Sequence, residues 1–395
     1  MKSYDVIVVG AGPAGSTFAT QLKKRGLTIK LLDKSKFPRL KPCAGWVTPQ
    51  VIEALQIDID DYRRKLTFQA INGFRTGLIG GRMNESHYPR TVSFGIRRIE
   101  FDNYLLQRSG VPCEMQAVRK IERHGNQWHI NERYSAPLLV GAGGHFCPVA
   151  RHVRESEDAS RSDISALGRN QSNQPQLPVV YAQEIEFEVD DDGKSSQAVT
   201  PSIPELYFCK DLKGYGWCFR KGNFLNVGLG RLEKNGLSAQ VKEFWEFLRS
   251  RKKVIGNSPS RFLGHAYRLY AQAKPKLSDE GLLLIGDSAA LAYSQSGEGI
   301  RPAIESALIA AQVVSSANGD FSSSSLAIYR TKLVARLGHP PTFPSTTWLP
   351  AAWLQSIASR LMASRWFAKN VVIDRWFLHQ QQATLESTRH DVVEA

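Results

Sequence analysis

A glycine-rich turn between two short apolar runs constrains this chain more than any other feature. Val6 to Val9 is an apolar, β-branched run, as expected of a buried parallel strand. The turn GAGPAG, Gly10 to Gly15, follows at once. A helical stretch that ends at KKRG then leads to a second apolar run, which ends in Asp33. This order of strand, turn, helix, strand and acidic residue predicts a dinucleotide-binding βαβ unit.

The residues of this unit each have a physical reason to be there. Gly10 allows a tight turn, Gly12 lets the backbone approach a pyrophosphate, and Gly15 lets the helix pack closely on the strand. The phosphates are expected at the helix N-terminus, where free N–H groups and the helix dipole favour negative charge. Asp33, about 20 residues beyond the second glycine, is placed to bind ribose hydroxyls, and its carboxylate disfavours a 2′-phosphate. The unit therefore favours FAD or NAD over NADP, with the candidate cofactor-binding residues Gly10, Gly12, Ala14, Gly15, Asp33 and Lys34.

Composition limits the other possibilities. The chain has 395 residues, 42% of them hydrophobic. Because its apolar runs are shorter than the about 18 residues that cross a bilayer, we expect a cytoplasmic protein. Five scattered cysteines indicate reduced thiols, and nine histidines without ligand spacing predict no metal site. A net charge of +14 favours a phosphorylated ligand or an anionic membrane, or is only a solvated surface. Without a nucleic-acid-binding motif, nucleic acid is not an expected partner.

Two later segments add candidate cofactor contacts. A helix is expected to start just after Arg98, where that side chain can reach a phosphate or ribose. Leu282 to Ile285 is another buried strand, and Asp287, just beyond its carboxyl end, can hold a ribityl or pyrophosphate-side hydroxyl. A GEG turn then offers backbone N–H groups to an electron-rich ring edge at a helix start. The candidate residues of this segment are Gly286, Asp287, Gly297, Gly299 and Ile300.

The middle of the chain predicts a second domain. Val179 to Arg268 has the pattern of mainly antiparallel strands with one helix near Val241 to Arg249. In its first strand, three glutamates alternate with apolar residues, which predicts a half-solvated strand. These glutamates are Glu184, Glu186 and Glu188.

Two segments outside these domains have distinct compositions. Ser156 to Pro178 is rich in polar residues, so we expect an exposed loop or flexible insertion. Trp348 to Leu378 has a helical pattern in which tryptophans and basic residues are mixed. Such an amphipathic pair of helices either caps an apolar cavity or docks on a membrane interface.

Four segments, taken in order, resemble a known family. They are DVIVVGAGPAGS with Asp33, the stretch Arg98-x-x-Phe101-Asp102, LLLIGDSAAL and SGEGIRPAIESA. They are similar to FAD-dependent oxidoreductases of the aromatic hydroxylase and flavin halogenase superfamily, and most closely to the geranylgeranyl reductases. The resemblance implies an α/β fold, in which an FAD-binding Rossmann-like domain carries an inserted, mainly antiparallel β-sheet substrate domain and a helical C-terminal region. The expected boundaries are 1–65, 95–155 and 276–325 for FAD binding, 66–94 and 178–275 for substrate, 156–177 for a flexible loop, and 326–395 for the C-terminal helices.

Two further segments point to the reductases. KPCAG is similar to their Pro-Cys-Gly loop, which implies that Ala44 and Gly45 bind the flavin. YGWCFRKGNFLNVGLG is similar to their Y-x-W-x-F-P-K strand pair, which implies substrate contacts from Tyr215, Trp217 and Phe219. Two positions depart from the family. Arg220 replaces the motif's proline, and Gly143 replaces an aspartate linked to FAD and NAD(P)H handling. Arg220 and Lys221 can meet a phosphate headgroup, although a solvated pair is the expectation.

The resemblance implies reduction of carbon–carbon double bonds in a geranylgeranyl-type prenyl lipid or related isoprenoid. An unactivated alkene needs a proton as well as a hydride, and Cys43 is the candidate acid, or else positions the substrate. The alternative for Cys43 is a packed small residue. The external reductant, NAD(P)H or ferredoxin, stays open. Two other functions also stay open: hydroxylation of a small aromatic substrate by an FAD-dependent monooxygenase, and a non-catalytic redox flavoprotein on a membrane. Peripheral contact of the C-terminal region with the inner face of the membrane is a further expectation.

Overall fold

The computed structural model describes residues 1–165, 178–189, 199–271, 276–341, 356 and 359–385. Contacts within the chain divide it into two compact units, each assembled from three segments. The first unit comprises Met1–Arg39, Asp102–Pro178 and Tyr267–Phe343. The second unit comprises Leu40–Phe101, Val179–Ala266 and Pro344–Ala395.

The strands are, in chain order, β1 (Lys2–Ser3), β2 (Val6–Val9), β3 (Ile29–Asp33), β4 (Trp46–Val47), β5 (Phe68–Ile71), β6 (Gly73–Leu78), β7 (Met83–His87), β8 (Ser93–Ile96), β9 (Cys113–Met115), β10 (Ile121–His124), β11 (Gln127–Ile130), β12 (Tyr134–Ala136), β13 (Leu138–Gly141), β14 (Val179–Glu188), β15 (Glu205–Phe208), β16 (Gly214–Lys221), β17 (Phe224–Arg231), β18 (Leu263–Arg268), β19 (Ser278–Asp279) and β20 (Leu282–Leu284). The helices are α1 (Pro13–Lys23), α2 (Pro49–Ala54), α3 (Ile59–Lys65), α4 (Arg98–Ser109), α5 (Pro148–Ser165), α6 (Leu237–Ser250), α7 (Ile300–Ser316), α8 (Ser323–Leu337) and the short α9 (Arg365–Phe367), which continues as a π-helix over Ala368–Phe377. A 3₁₀ turn covers Gly286–Ala289.

The first unit is organised around a six-stranded sheet in the order β19-β20-β13-β2-β3-β9. Its strands are parallel except for the edge strand β19. The central strands are continuous runs of buried apolar residues because α1, α5 and strands β11 and β12 of the smaller sheet pack against them. Helix α1 packs against α7. The smaller sheet has the order β1-β12-β11-β10.

Strand register places the predicted cofactor turns at one edge of this sheet. Val9 of β2 is paired with Gly141 of β13, and Gly141 is paired with Leu284 of β20. The three strands therefore end side by side, and each is followed by a turn that contains glycine. In open α/β sheets, ligands bind beyond the carboxyl ends of the strands. The predicted Rossmann-like α/β architecture is confirmed.

The second unit contains a seven-stranded sheet in the order β18-β14-β17-β16-β15-β6-β7. The pairs β14–β17, β17–β16, β16–β15 and β6–β7 are antiparallel, whereas β15 and β6 run parallel. Helix α6 packs on β14 and β17. A three-stranded sheet in the order β4-β8-β5 lies in the same unit. The mainly antiparallel character of this region agrees with the prediction, and α6 contains the one helix expected there.

Two segments either differ from the predicted secondary structure or lie partly outside the residues that the structure describes. Helix α5 runs to Ser165, so the exposed loop expected from Ser156 is wrong for its first ten residues. Neither proline nor glycine interrupts the segment after Pro148, so its polar composition is compatible with a helix, and Val149, Ala150 and Val153 are buried in the first turns. Residues 166–177 of that segment are outside the described residues, as are 348–355, 357 and 358 of the predicted helical stretch Trp348–Leu378. None of the helices in the described ranges is both long enough and apolar enough to cross a membrane.

Candidate functional site

The first glycine turn has the geometry that its sequence predicts. Gly10 has a φ of +112°, and a Cβ atom there would collide with the backbone of Ala142. A Cβ atom on Gly15 would collide with the Gly10 carbonyl oxygen. Gly12 is the N-cap of α1 and has no side chain to satisfy the free N–H groups of the first turn. A compact, uncapped helix N-terminus of this kind is suited to a pyrophosphate.

Asp33, the last residue of the neighbouring strand β3, stabilises this turn through its carboxylate. Its Oδ2 atom accepts a hydrogen bond of 2.9 Å from the N–H of Ala11, and its Oδ1 atom accepts one of 2.9 Å from the N–H of Ser35. The half-buried carboxylate therefore lies at the end of β3 beside the glycine turn, where a ribose hydroxyl is expected. Ala14 is buried in α1, whereas Lys34 is exposed.

Arg39, which the sequence motifs did not predict, adds a positive charge to this turn. Its Nη2 atom lies 3.2 Å from the position that a Cβ atom on Gly12 would take. The same guanidinium lies 3.3 Å from the carboxylate of Asp102, which is fully buried. A positive group next to an uncapped helix N-terminus reinforces the preference for an anion. The residues at this turn thus fit the diphosphate of FAD, and the signal in the sequence was the FPR triplet shortly after Asp33.

The Gly286-Asp287 turn lies in the same unit and is equally close-packed. Gly286 has a φ of +62°, and a Cβ atom there would lie 3.1 Å from Ala14 and 3.2 Å from Ala303. Its N–H donates to the Ser306 hydroxyl at 3.0 Å. Asp287 directs a carboxylate oxygen toward Gly299, 3.1 Å from the position of a Cβ atom there. The structure therefore brings Asp287 and the GEG turn together, as the predicted site requires.

The GEG turn leads directly into α7, which begins at Ile300. Gly297 has a φ of +70°, and Tyr267 fills the space that a side chain would need. Glu298 turns inward, and its Oε1 atom accepts a hydrogen bond of 2.7 Å from the N–H of Arg301. Its Oε2 atom is buried and has no hydrogen-bond partner within the described part of the chain. Burial raises the pKa of Glu298 to about 7, although that N–H group and the Arg301 charge oppose the rise.

In the second unit, the backbone of the predicted Cys43 loop (Lys41–Gly45) is hydrogen-bonded to side chains of the large sheet. The Cys43 N–H donates to Oε1 of Glu184 at 2.6 Å. The Cys43 carbonyl accepts from Nδ2 of Asn226 at 3.4 Å, and the Ala44 carbonyl accepts from Nζ of Lys221 at 3.0 Å. Gly45 has a φ of +72°, and a Cβ atom there would lie 2.7 Å from the Lys221 ammonium. Polar side chains of β14, β16 and β17 thus determine the course of this loop.

These contacts correct two expectations about solvation. Glu184, which the alternating pattern predicted to be solvated, is only 5% exposed, and Lys221, which was expected in a solvated pair with Arg220, is only 1% exposed. The reason is that the Cys43 loop lies over this part of the sheet and binds to both side chains. Glu186 is also largely shielded, with its side chain 19% exposed. Alternation along a strand indicates which residues share a face, and here that polar face is covered by protein at Glu184 and Glu186, whereas Glu188 is exposed.

Glu184 and Glu186 lie two residues apart in β14 but have different electrostatic environments. Burial opposes ionisation of Glu186, but Lys221 at 2.6 Å and Arg97 at 2.8 Å hold its pKa below the usual range. Burial raises the pKa of Glu184 to about 7. The Cys43 N–H, the Lys221 charge and Asn226 lower that pKa, whereas the charge of Glu186 raises it further. One carboxyl is therefore held ionised, and its neighbour retains a proton up to near-neutral pH.

The three predicted substrate residues lie in one apolar cluster of the second unit. Trp217 and Phe219 are buried on β16, and the half-buried Tyr215 packs against the same cluster. Trp46 stacks on Phe219 with ring centroids 5.3 Å apart, and Phe377 of the π-helix meets Tyr215 at 5.4 Å. The Trp217 indole Nε1–H donates to Oδ1 of Asn226 at 2.6 Å. The structure brings these aromatic residues together, and their contact with a substrate stays a prediction.

Arg98 is the first residue of α4, as predicted, and is half-buried. The neighbouring Phe101 is fully buried against Tyr62. The cofactor roles of Arg98, Ala44 and Gly45 stay predictions, as does the role of the half-buried Cys43 thiol.

Comparisons with known proteins add independent information. A model of the NAD(P)-binding Rossmann-like domain matches residues 8–40. The chain is 26% identical over 326 residues to the digeranylgeranylglycerophospholipid reductase of Methanocaldococcus jannaschii, covering 80% of this chain and 77% of that protein. It is 27% identical over 305 residues to the geranylgeranyl diphosphate reductase of Rhodobacter capsulatus, covering 75% of this chain and 71% of that protein.

The fold also has a solved counterpart. A crystal structure of a geranylgeranyl bacteriochlorophyll reductase-like protein from Thermoplasma acidophilum matches with a TM-score of 0.68 at 21% sequence identity. The match covers 92% of this chain and 88% of that chain. The match supports the fold alone, whereas the two sequence relatives extend the resemblance that the motifs suggested.

Proposed function

We propose that this chain, which is a geranylgeranyl-reductase-like, FAD-dependent oxidoreductase, reduces carbon–carbon double bonds in the prenyl chain of a lipid or related isoprenoid. The proposed substrate class rests on the similarity to two named prenyl reductases over 75–80% of the chain. The apolar cluster around Tyr215, Trp217 and Phe219 is chemically suited to a hydrocarbon chain because its members expose few polar atoms.

Residues of the first unit would hold the cofactor. The uncapped N-terminus of α1 at Gly12 and the Arg39 guanidinium would bind the diphosphate, and Asp33 would bind the adenosine ribose. Asp287 and the backbone of the GEG turn would bind the remainder of FAD. When bound and reduced, FAD supplies the hydride that the alkene requires.

The protein must supply a proton and exclude water from the reaction. We assign the Cys43 loop to this task because its backbone is fixed by three buried side chains of the large sheet. Such fixation keeps a reacting group in one position, which lowers the entropic cost of reaching the reactive geometry. Cys43 is the candidate acid of the loop or the residue that positions the alkene.

We further propose a peripheral membrane contact through the C-terminal region. Trp366 is 68% exposed, and Arg365 and Lys369 flank it on the same short helical segment. An exposed tryptophan among basic residues is typical of a surface that binds anionic lipid headgroups. Binding to vesicles with and without anionic lipid, in wild type and Trp366→Ala, tests this contact.

The external reductant is NAD(P)H or ferredoxin in this proposal. Gly143, which replaces the family's aspartate, is crowded, since a Cβ atom there would lie 3.2–3.3 Å from Cys147. A carboxylate at this position would require the turn to shift. Anaerobic reduction of the purified protein with each donor distinguishes the two reductants.

The main experiment is mass spectrometry of products after anaerobic turnover with a panel of prenyl lipids. Our proposal predicts the gain of two hydrogens for each double bond reduced. Gain of one oxygen on a phenol in air would instead support a monooxygenase. A protein that binds FAD tightly but converts neither class would support a non-catalytic redox role.

A further inference from the structure

We infer that Asp102 is a positioning residue for the cofactor, because it holds the Arg39 guanidinium at the first glycine turn in the orientation that binds a diphosphate. The inference rests on the proposed binding of FAD by the first unit and adds a residue to it. Both side chains belong to that unit, Arg39 at the end of its first segment and Asp102 at the start of its second. Asp102 acts through Arg39 and needs no contact of its own with the cofactor.

Two contacts restrict the Arg39 side chain. Its Nη2 atom lies 3.3 Å from Oδ2 of Asp102, and its guanidinium carbon lies over the Phe37 ring, 4.7 Å from the ring centroid. The carboxylate fixes the direction of the guanidinium, and the aromatic ring against its face limits its tilt. The same Nη2 atom lies 3.2 Å from the position that a Cβ atom on Gly12 would take. The restricted guanidinium therefore lies against the turn at which the diphosphate is expected.

The burial of Asp102 makes it the fixed member of this ion pair. Its side chain is 0% exposed, whereas that of Arg39 is 17% exposed. Asp102 lies in α4, where Leu105 and Ser109 are buried on the same face of the helix. A carboxylate without access to water strongly favours contact with a positive group, because the alternative is an unpaired buried charge. The helix thus fixes Asp102, and Asp102 fixes the longer and more flexible arginine.

The negative charge of Asp102 has two opposing effects on anion binding. It reduces the positive potential of Arg39, which weakens the attraction for a diphosphate. It also orders the arginine before the ligand arrives, so that less side-chain freedom is lost on binding. A guanidinium has five N–H donors, and contact with one carboxylate leaves donors for a phosphate. Removing the charge therefore shows which effect is larger, and positioning predicts a loss of affinity.

The test is calorimetric titration of the flavin-free full chain with ADP and with adenosine, which differ only in the diphosphate. Asp102→Asn keeps the size of the side chain and an acceptor oxygen. It should weaken ADP binding about 2- to 12-fold and leave the affinity for adenosine unchanged. Asp211→Asn is the control, because it removes the charge from an arginine–aspartate ion pair in the second unit and should keep the wild-type ratio of the two Kd values. A merely structural role of Asp102 would lower the Tm without changing that ratio.

The outcomes separate this inference from the proposed function. If wild type binds ADP no better than adenosine, the proposed diphosphate site fails, and the role of Asp102 fails with it. If wild type prefers ADP and Asp102→Asn retains that preference or strengthens it, the site stands and Asp102 does not position Arg39. Should Asp102→Asn fail to fold, Arg39→Lys decides the question, since lysine keeps the charge but not the planar set of donors. An undiminished preference of Arg39→Lys for ADP would overturn the inference, and a similar loss would support it.

Discussion

Replacing Glu298 with glutamine should change how the stability of the protein depends on pH. Glu298 lies in the GEG turn, and its Oε1 atom caps the start of α7 by accepting the Arg301 N–H at 2.7 Å. Its other oxygen is buried without a partner among the residues that the structure describes. Glutamine keeps the accepting oxygen but cannot ionise, so Glu298→Gln isolates the cost of a buried negative charge.

The magnitude follows from the pKa of Glu298, which burial raises from 4.5 to about 7. At 1.36 kcal/mol for each pKa unit, the shift corresponds to about 3 kcal/mol. The folded protein binds this proton more tightly than the unfolded chain, so the free energy of unfolding falls as pH rises from about 4.5 to about 7. Above that range the full penalty remains. Glu298→Gln should therefore be more stable than wild type at about pH 8 and similar to it below pH 4.5.

Urea unfolding of wild type, Glu298→Gln and Glu243→Gln at several pH values measures this effect. Glu243 is an exposed residue of α6, so its replacement should leave the pH dependence as it is in wild type. Glu184 is present in all three proteins, so its contribution to the pH dependence of the free energy of unfolding is the same in each and cancels in the comparison. If the stabilities of wild type and Glu298→Gln change in parallel with pH, Glu298 does not titrate with a raised pKa, and the reasoning is refuted.

Three further changes test the cofactor turn and the Cys43 loop. Gly15→Ala should lower the FAD content because its methyl group would collide with the Gly10 carbonyl. Gly264→Ala is the control and should retain the FAD content of wild type, since a Cβ atom there would meet only one oxygen, at 4.0 Å. Visible absorbance measures both, and equal FAD content would contradict the packing argument. Asp33→Ala should weaken FAD binding about 10- to 150-fold, measured by fluorescence titration, because one charge-assisted contact is worth roughly 1.5–3 kcal/mol; an unchanged Kd would exclude the ribose contact. Lys221→Met should lower the free energy of unfolding by about 3 kcal/mol because Glu186, the Ala44 carbonyl of the loop and the Ile96 carbonyl of β8 lose their partner; an unchanged urea midpoint would mean that this ammonium does not stabilise the loop.

The parts of the fold that sequence could predict are those in which one short segment contains the whole signal. The strand Val6–Val9, the glycine turn and Asp33 are contiguous in their unit, so their spacing determined both the structure and the expected ligand class. The start of α4 at Arg98 and the strand before Gly286 were predictable for the same reason.

The missed features depend on segments that are distant in sequence. Glu184 and Lys221 look like surface residues in the sequence, but both are hydrogen-bonded to the Cys43 loop, in which Cys43 precedes Glu184 by 141 residues. Arg39 follows the nucleotide-binding motif by a few residues, but its role depends on two tertiary contacts, one with Gly12 and one with the buried Asp102. The local periodicity of a sequence does not show which distant segment packs over a strand.

The most direct test of the account is a single turnover without oxygen. The purified flavoprotein is reduced chemically, mixed with a geranylgeranyl lipid or with its fully saturated counterpart, and followed by visible absorbance and by mass spectrometry of the lipid. The account predicts that the unsaturated lipid alone restores the oxidised flavin spectrum and gains two hydrogens for each flavin reoxidised. Equal reoxidation with both lipids, or an unsaturated lipid recovered at its original mass, would contradict it.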